Sequence, residues 1–322
     1  MIYSEWQMAS VVAVSPLLVR RYPKSGVTTL PSWVTELVGV PSEAPKVVSG
    51  ALSVQIAQRS DFMLVSVRVA DAVSMESADF SAKTTQAYEL VFDSLNQHRG
   101  FNLIRAWNFI PRILDPLGQI PQRYFAFNAG RFAAYERAYV TKDAFSRMVA
   151  TASGVGNFGS DLMIFGLASS GPSFPVENPR QVPSYRYSEK YGPLPPCFAR
   201  ATRVGTNRGT WLLVGGTASV RGEDSRHDDD LEAQTAETLV NLAALVAVAE
   251  GGSGAAESSM NESGRLLGRF RHLRVYHRQR EDSAFIEKRL PREFPGAKTI
   301  EISMADLCRP SLLIEIEGLA EL

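Results

Sequence analysis

Gln234-Thr-Ala-Glu-Thr-Leu-Val240 opens the strongest helical pattern in this 322-residue chain, and Thr85-Gln-Ala-Tyr-Glu-Leu-Val91 is its weaker likeness in the first half. The earlier copy sits in a predicted amphipathic helix over 84–97, where Tyr88, Val91, Phe92 and Leu95 fall at helical spacing. Two strand-like runs, 51–57 and 63–70, precede it, and a strand over 102–109 follows. Around the later copy the order recurs. Strands at 199–204 and 210–220 come before a helix at 231–250, and a strand at 273–277 comes after it. Further helices are predicted over 123–140 and 283–294, with strands at 162–168, 185–187 and 312–316. Two β-β-α-β halves predict an α+β fold of mixed sheets with helices packed on one face, not a doubly wound sheet. No G-x-G-x-x-G follows a strand in the dinucleotide-binding context, and the glycines at Gly215-Gly216 read as a turn. The halves divide at 1–150 and 151–322.

Bulk properties narrow the partners. The 34 basic residues balance 34 acidic ones, which gives no reason to expect nucleic acid or an anionic membrane. Met1-Ile-Tyr-Ser-Glu-Trp6 lacks the basic-then-apolar pattern of a leader. The apolar stretch 239–249 is too short to span a bilayer, so a soluble, cytoplasmic protein is expected. Cys197 and Cys308 provide neither a disulfide framework nor a zinc set, and no metal site is expected. His227-Asp-Asp-Asp230 stands just ahead of the helix at 231, where acidic side chains cap exposed N–H groups. His272 and His277 read as surface positions of a strand, and the stretch from Gly251-Gly-Ser-Gly254 to Ser263 as an excursion.

The chemistry concentrates near the end, in Leu307-Cys-Arg-Pro-Ser-Leu-Leu-Ile-Glu-Ile-Glu-Gly318. Glu315 and Glu317 interrupt an apolar strand. A buried carboxylate is costly, and desolvation pushes such a group toward its neutral acid. An acid that keeps its proton near pH 7 is what general acid catalysis requires. The competing reading is an edge strand with both glutamates in water.

Gly215-Gly-Thr-Ala-Ser219, the helix from Gln234 and the Ile314-Glu-Ile-Glu317 strand resemble the RidA/YjgF superfamily. Within it the chain resembles the chorismatase family. The matching blocks are Trp107-Asn-Phe-Ile-Pro111, Arg123-Tyr-Phe-Ala-Phe-Asn-Ala-Gly-Arg131, Pro175-Val-Glu-Asn-Pro-Arg-Gln-Val-Pro183, Tyr185-Arg-Tyr187, Tyr191-Gly-Pro193, Phe198-Ala-Arg200 and Gly215-Gly-Thr-Ala-Ser-Val-Arg-Gly-Glu223. The resemblance implies two RidA/YjgF-like (chorismate mutase-like) halves in one chain. It also implies cleavage of chorismate with release of pyruvate, without metal or organic cofactor. Product branches are 3-hydroxybenzoate, a 3-/4-hydroxybenzoate mixture, or a dihydroxycyclohexadiene carboxylate formed by hydrolysis.

Glu315 matches the family's catalytic glutamate. A small dianion calls for arginines, which donate two parallel N–H bonds to a carboxylate. Arg131, Arg180, Arg186 and Arg200 are candidates, and the resemblance favours Arg131 and Arg200. Tyr185 is chosen over Arg186 because the two would face opposite sides of a strand. Cys308 and Gly222 match the 3-hydroxybenzoate-forming branch, the hydrolytic one carrying alanine at both. A glycine leaves room for the ring to shift, and a thiol can assist proton movement. Cys308 also reads as a buried structural thiol. Competing functions are a RidA-like imine deaminase and a non-catalytic metabolite-binding module. The deaminases carry an arginine where this chain has Ile300, 15 residues before Glu315. With two such halves in one chain, a monomer is expected.

Overall fold

The computed structural model describes residues 17–22, 29–139, 146–207, 209–252 and 260–322. In chain order the elements are β1 (Leu18–Tyr22), α1 (Ser32–Val38), β2 (Lys46–Ser49), β3 (Leu52–Arg59), β4 (Phe62–Val69), α2 (Ser77–Gln97), β5 (Asn102–Pro111), α3 (Arg123–Ala138), β6 (Thr151–Asn157) and β7 (Leu162–Ser169). They continue with β8 (Ser173–Val176), β9 (Ala201–Thr206), β10 (Gly209–Ala218), β11 (Val220–Arg221), β12 (Asp224–Ser225), α4 (Leu231–Ala249), α5 (Met260–Leu267), β13 (Phe270–His277), α6 (Ser283–Glu293), β14 (Thr299–Met304) and β15 (Ile314–Glu321).

The fold is α+β and internally repeated. One sheet runs β2-β3-β4-β7-β5-β6 and the other β1-β14-β13-β15-β10-β9-β8. Removing the flanking strands β2, β8 and β1 leaves β3-β4-β7-β5-β6 and β9-β10-β15-β13-β14, the same order. With the short β11–β12 pair and α5 set aside, each half also follows the chain order β-β-α-β-α-β-β, an extension of the β-β-α-β pattern read from the sequence. In both, the last strand lies antiparallel between its hairpin and its crossover strand, and one parallel pair (β5–β6, β13–β14) closes the unit.

Strand alternation sorts side chains onto two faces. Met63, Val65 and Val67 of β4 pack with Tyr88, Val91 and Phe127 of α2 and α3. Ile314 and Ile316 of β15 pack with Leu242 and Leu245 of α4 and Leu290 of α6. The opposite faces meet each other, with Leu64, Trp107, Leu213 and Tyr276 in one shared cluster. Four layers result: helices, sheet, sheet, helices. The chain passes between sheets at 170–172, since β6 and β7 belong to the first one, and not at residue 150. β1, from the N-terminal segment, adds to the second sheet beside β14.

Several local expectations change. Residues 185–187 do not form a strand: Ser184–Arg186 is a 3₁₀ turn after Pro183. α5 begins inside the stretch expected to be an excursion, of which 253–259 lie outside the described residues. His277 is buried, with Nδ1 against the Gln279 carbonyl, and is no surface residue. Asp230 caps α4 as expected, accepting from the Ala233 N–H at 2.9 Å. Among the described residues no helix is long and apolar enough to cross a membrane.

Candidate active site

β15 carries Glu315 and Glu317 on the face that looks into the gap between the sheets. Both are buried, at 4% and 2% exposure, so the solvent-facing reading of this strand is excluded. Their surroundings differ. Glu317 is gripped: Arg105 Nη2 donates to it at 2.7 Å, Trp107 Nε1 at 2.8 Å, the Ser153 hydroxyl through a short bond, and Tyr276 Oη at 3.4 Å. No described residue hydrogen-bonds the Glu315 carboxyl, which instead faces a cavity of about 500 Å³.

A β-bulge aims Glu315 there. β10 pairs Val214 with Gly318 and Thr217 with Ile316, so Gly215 and Gly216 together stand opposite Glu317. The expected glycine turn is thus an interruption within a strand, and such bulges bend a strand and redirect its side chains. A Cβ on Gly216 would overlap the Glu315 carboxyl, 2.6 Å from its carbon. Only glycine fits. The Gly216 N–H donates to Ser153 Oγ at 2.9 Å, which ties the bulge to the Glu317 clamp. From the helix side, Gln234 holds the start of β15 by accepting the Leu313 N–H at 2.8 Å, and Asn241 donates to the Ala218 and Val220 carbonyls. These buried polar residues of α4 are spatial staples for the strands that carry the site.

Burial, then the nearby negative charge of Glu317, pushes the Glu315 carboxyl up to about 8, against the pull of Arg105 and Arg200. The group therefore keeps its proton at neutral pH. Cys308 lines the same cavity; burial and Glu315 push its thiol up to about 12, so it remains an S–H. Arg200 is fixed to the Val182 carbonyl (2.9 Å) and the Tyr187 hydroxyl (2.5 Å), and lies over the rings of Phe198 and Tyr187.

Of the residues singled out from sequence, Glu315, Cys308 and Arg200 converge on the cavity, whereas Arg131, Arg180, Tyr185, Arg186, Gly222 and Glu317 do not line it. Arg131 is buried beneath it at 1% exposure, bonded to Asn128 and stacked over Phe127 and Phe198. Tyr185 packs against the first half's core, and Tyr187 lines the cavity instead; the 3₁₀ turn replaces the strand alternation on which Tyr185 was chosen. Gly222 has φ +64, a backbone conformation that favours glycine, and a Cβ added there would meet no protein atom within 4 Å. Its N–H donates to the Arg180 carbonyl at 2.8 Å. Arg180 itself is consumed by Glu237 and Asn241. Ile300 points into the helix-side core, away from the cavity.

Sequence reading missed Arg105 and Ser153, the wall residues Tyr124, Gln181 and Tyr191, and Arg309. Arg105 carried a signal, a lone charge inside an apolar strand, as Glu315 did. Among the described residues no cluster of His, Cys, Asp and Glu has metal-binding arrangement.

A buried acid and an arginine face one cavity between two repeated sheets, and the comparisons give the chain a family. Residues 41–168 match the family described as chorismatase FkbO/Hyg5-like, N-terminal. The 3-hydroxybenzoate synthase of Streptomyces hygroscopicus is 34% identical over 244 residues, covering 74% of this chain and 69% of that protein. A chorismatase of Streptomyces rapamycinicus is 28% identical over 281 residues, 86% and 80% of the two chains. A crystal structure of a chorismatase superposes with a TM-score of 0.68 at 26% identity, covering 87% of this chain and 80% of that one. The chain belongs to the chorismatase family of enzymes.

Proposed function

We propose that the enzyme cleaves chorismate to 3-hydroxybenzoate and pyruvate, with Glu315 as the general acid and base. The observation that carries the reading is the Glu315 carboxyl, buried, protonated at neutral pH and turned by the Gly215-Gly216 bulge into a cavity that holds Arg200. The name of the 34%-identical relative supports the product.

Chorismate carries two carboxylates, a ring hydroxyl and an enolpyruvyl ether. Arg200 binds one carboxylate, its guanidinium pre-oriented by Val182 and Tyr187. Glu315 gives its proton to the methylene carbon of the enol ether. The ring C–O bond breaks, its electron pair leaves with pyruvate, and the neighbouring ring hydroxyl oxygen takes the vacated carbon to form an arene oxide. The hydroxyl proton returns to Glu315. Opening of the oxide and loss of a ring proton then give the phenol, so no water enters the balance. Cys308, a neutral thiol at the cavity wall, occupies space that an attacking water would otherwise use. With alanine there the space opens for water, the hydrolytic outcome. Arg131 stacks against Phe198 of the cavity wall and adds its positive charge to this side of the site. The sheet faces that lack helices cover each other within one chain, which supports a monomer as the working unit.

The test is incubation with chorismate, with pyruvate assayed and the ring product separated by chromatography. Equal amounts of pyruvate and 3-hydroxybenzoate are expected. Dihydrodiol in place of the phenol would assign the hydrolytic branch, and absence of pyruvate would refute chorismate cleavage altogether.

A further inference from the structure

Three glutamates of the second half hold buried carboxyls beside buried arginines. Glu317 pairs with Arg105 and Glu301 with Arg274, each at 2.7 Å. Glu177 is the exception. The antiparallel ladder of β8 and β9 ends with Val176 opposite Ala201, so the next residues, Glu177 and Arg200, stand across from each other. Side chains directly opposite in such a pair share one face. Val176 and Ala201 belong to the helix-side core, which leaves Glu177 and Arg200 the other face, where Arg200 meets the cavity. Yet both Glu177 carboxyl oxygens are buried without a hydrogen-bond partner among the described residues, and so is Arg200 Nε. The Val182 carbonyl and the Tyr187 hydroxyl hold Arg200 Nη2 and keep the fork from closing on Glu177. The charged and titratable groups that act on Glu177 are Arg200 and, from the 3₁₀ turn, Arg186 and Tyr185. On the helix side, Glu237 of α4 is taken up by Arg180. Burial pushes the Glu177 carboxyl up to about 7, against the pull of Arg200 and then Arg186, so both its forms are populated at neutral pH.

We propose that Glu177 is a positioning residue that couples substrate binding to proton uptake: when a substrate carboxylate arrives at Arg200, the Glu177 carboxylate takes one proton from solvent. The inference rests on the chorismate reading. With substrate bound, one guanidinium stands between two anions in a buried site, and like charges at low dielectric drive one of them to its neutral form. The proton goes to a Glu177 oxygen, no other bond changes, and Arg200 keeps its charge. Arg200 thereby passes from a carboxylate of the protein to one of the substrate. Glu177 acts through Arg200 and does not touch the reacting atoms. Because substrate favours the acid form of Glu177, its binding should weaken as pH rises through 7.

Glu315→Gln is the parent for the test, since it is expected to hold chorismate without turning it over and removes the other titrating carboxyl. Calorimetry at pH 7.5 in phosphate and in Tris, whose ionisation enthalpies differ, counts the protons exchanged on binding. Uptake of roughly half a proton or more per chorismate is expected in the parent, and none once Glu177→Gln is added. Glutamine has the shape of the protonated acid. The double variant should therefore match the parent within about 2-fold at pH 6 and bind chorismate about 10-fold more tightly at pH 8. A gain of that kind does not come from a damaged fold. In the otherwise wild-type enzyme, Glu177→Gln should flatten the rise of KM between pH 6 and 8 and leave kcat within about 3-fold. Unchanged proton uptake in the double variant overturns the inference, and so does weaker binding at both pH values, the mark of a mere strut. Either result beside a wild type that releases pyruvate spares the reading of function. A wild type that leaves chorismate intact sinks both.

Discussion

β7 and β15 hold the same place in the two sheets, and aligned by their pairing they read Leu162-Met-Ile-Phe-Gly-Leu-Ala-Ser169 and Ile314-Glu-Ile-Glu-Gly-Leu-Ala-Glu321. The glycines correspond: Gly166 faces Val65 and Ala106, and Gly318 faces Val214 and Leu273. Met163 and Phe165 therefore stand where the other half has Glu315 and Glu317. The hairpin strands differ at the matching spot. β4 pairs Ser66 with Phe165 in regular register, whereas β10 sets two glycines against Glu317. One half keeps an apolar strand and a regular ladder. The other has two carboxylates and a bulge, and its Glu317 is stabilised by Arg105, Trp107 and Ser153 of the first half. The structural copy thus serves as the wall and counter-charge of the catalytic one.

Substitutions in both copies test this division. Glu315→Gln should lower pyruvate release from chorismate by roughly 10²–10⁴-fold, the usual worth of a positioned acid, while Met163→Gln should leave turnover within about 3-fold. Comparable losses in both would erase the distinction between halves. Gly216→Ala places a methyl on the Glu315 carboxyl and should cost about 100-fold in turnover, with the thermal transition shifted by only a few degrees, read by calorimetry beside the rate assay.

Arg105→Met leaves Glu317 buried without its counter-ion, and urea unfolding should show a loss of about 3–5 kcal/mol. Glu317→Gln removes the like charge beside Glu315. Its carboxyl value should fall, and the alkaline limb of the pH–rate profile should move to lower pH. In wild type that limb begins near 8, because the acid form is needed and is lost above it. The same shift links to stability. The Glu315 value is raised from 4.5 to about 8, so its contribution is complete below the lower value and is lost as pH rises through the upper one. The smallest effect is expected from Gly222→Ala. It should change the product ratio little, since Gly222 does not line the cavity, whereas Cys308→Ala should shift product toward the dihydrodiol. A shift from Gly222→Ala alone, seen by chromatography, would show that the backbone at 222 reaches the substrate indirectly.

The repeat was legible because hydrophobic period and the Gln234 and Thr85 helices are local signals, and each half needs its helices on one face. Glu315 stood out because a carboxylate within an apolar run has few inexpensive explanations. The clamp on Glu317 was not legible, since Arg105 and Ser153 lie on β5 and β6 of the other sheet and nothing in sequence indexes them to β15. Tyr185 was preferred to Arg186 by a strand rule that a 3₁₀ turn does not obey, and the same turn brings Tyr187 to the cavity wall. Sequence did not separate Gly222, whose φ is +64, from Gly216, where a Cβ would meet the Glu315 carboxyl, because it shows a glycine but not whether φ or a neighbour demands it. Sequence did not show that the Arg131 guanidinium stacks against Phe198, a residue of the cavity wall, because that contact joins α3 to a distant loop.

The proton on Glu315 is the point on which the mechanism turns, and infrared difference spectroscopy of wild type against Glu315→Gln across a pH series measures it. A protonated-carboxyl band that is present at pH 7, absent in the variant and titrating with a midpoint near 8 is the expected result. A midpoint near the ordinary carboxylate value of 4.5, with no such band at pH 7, would contradict it.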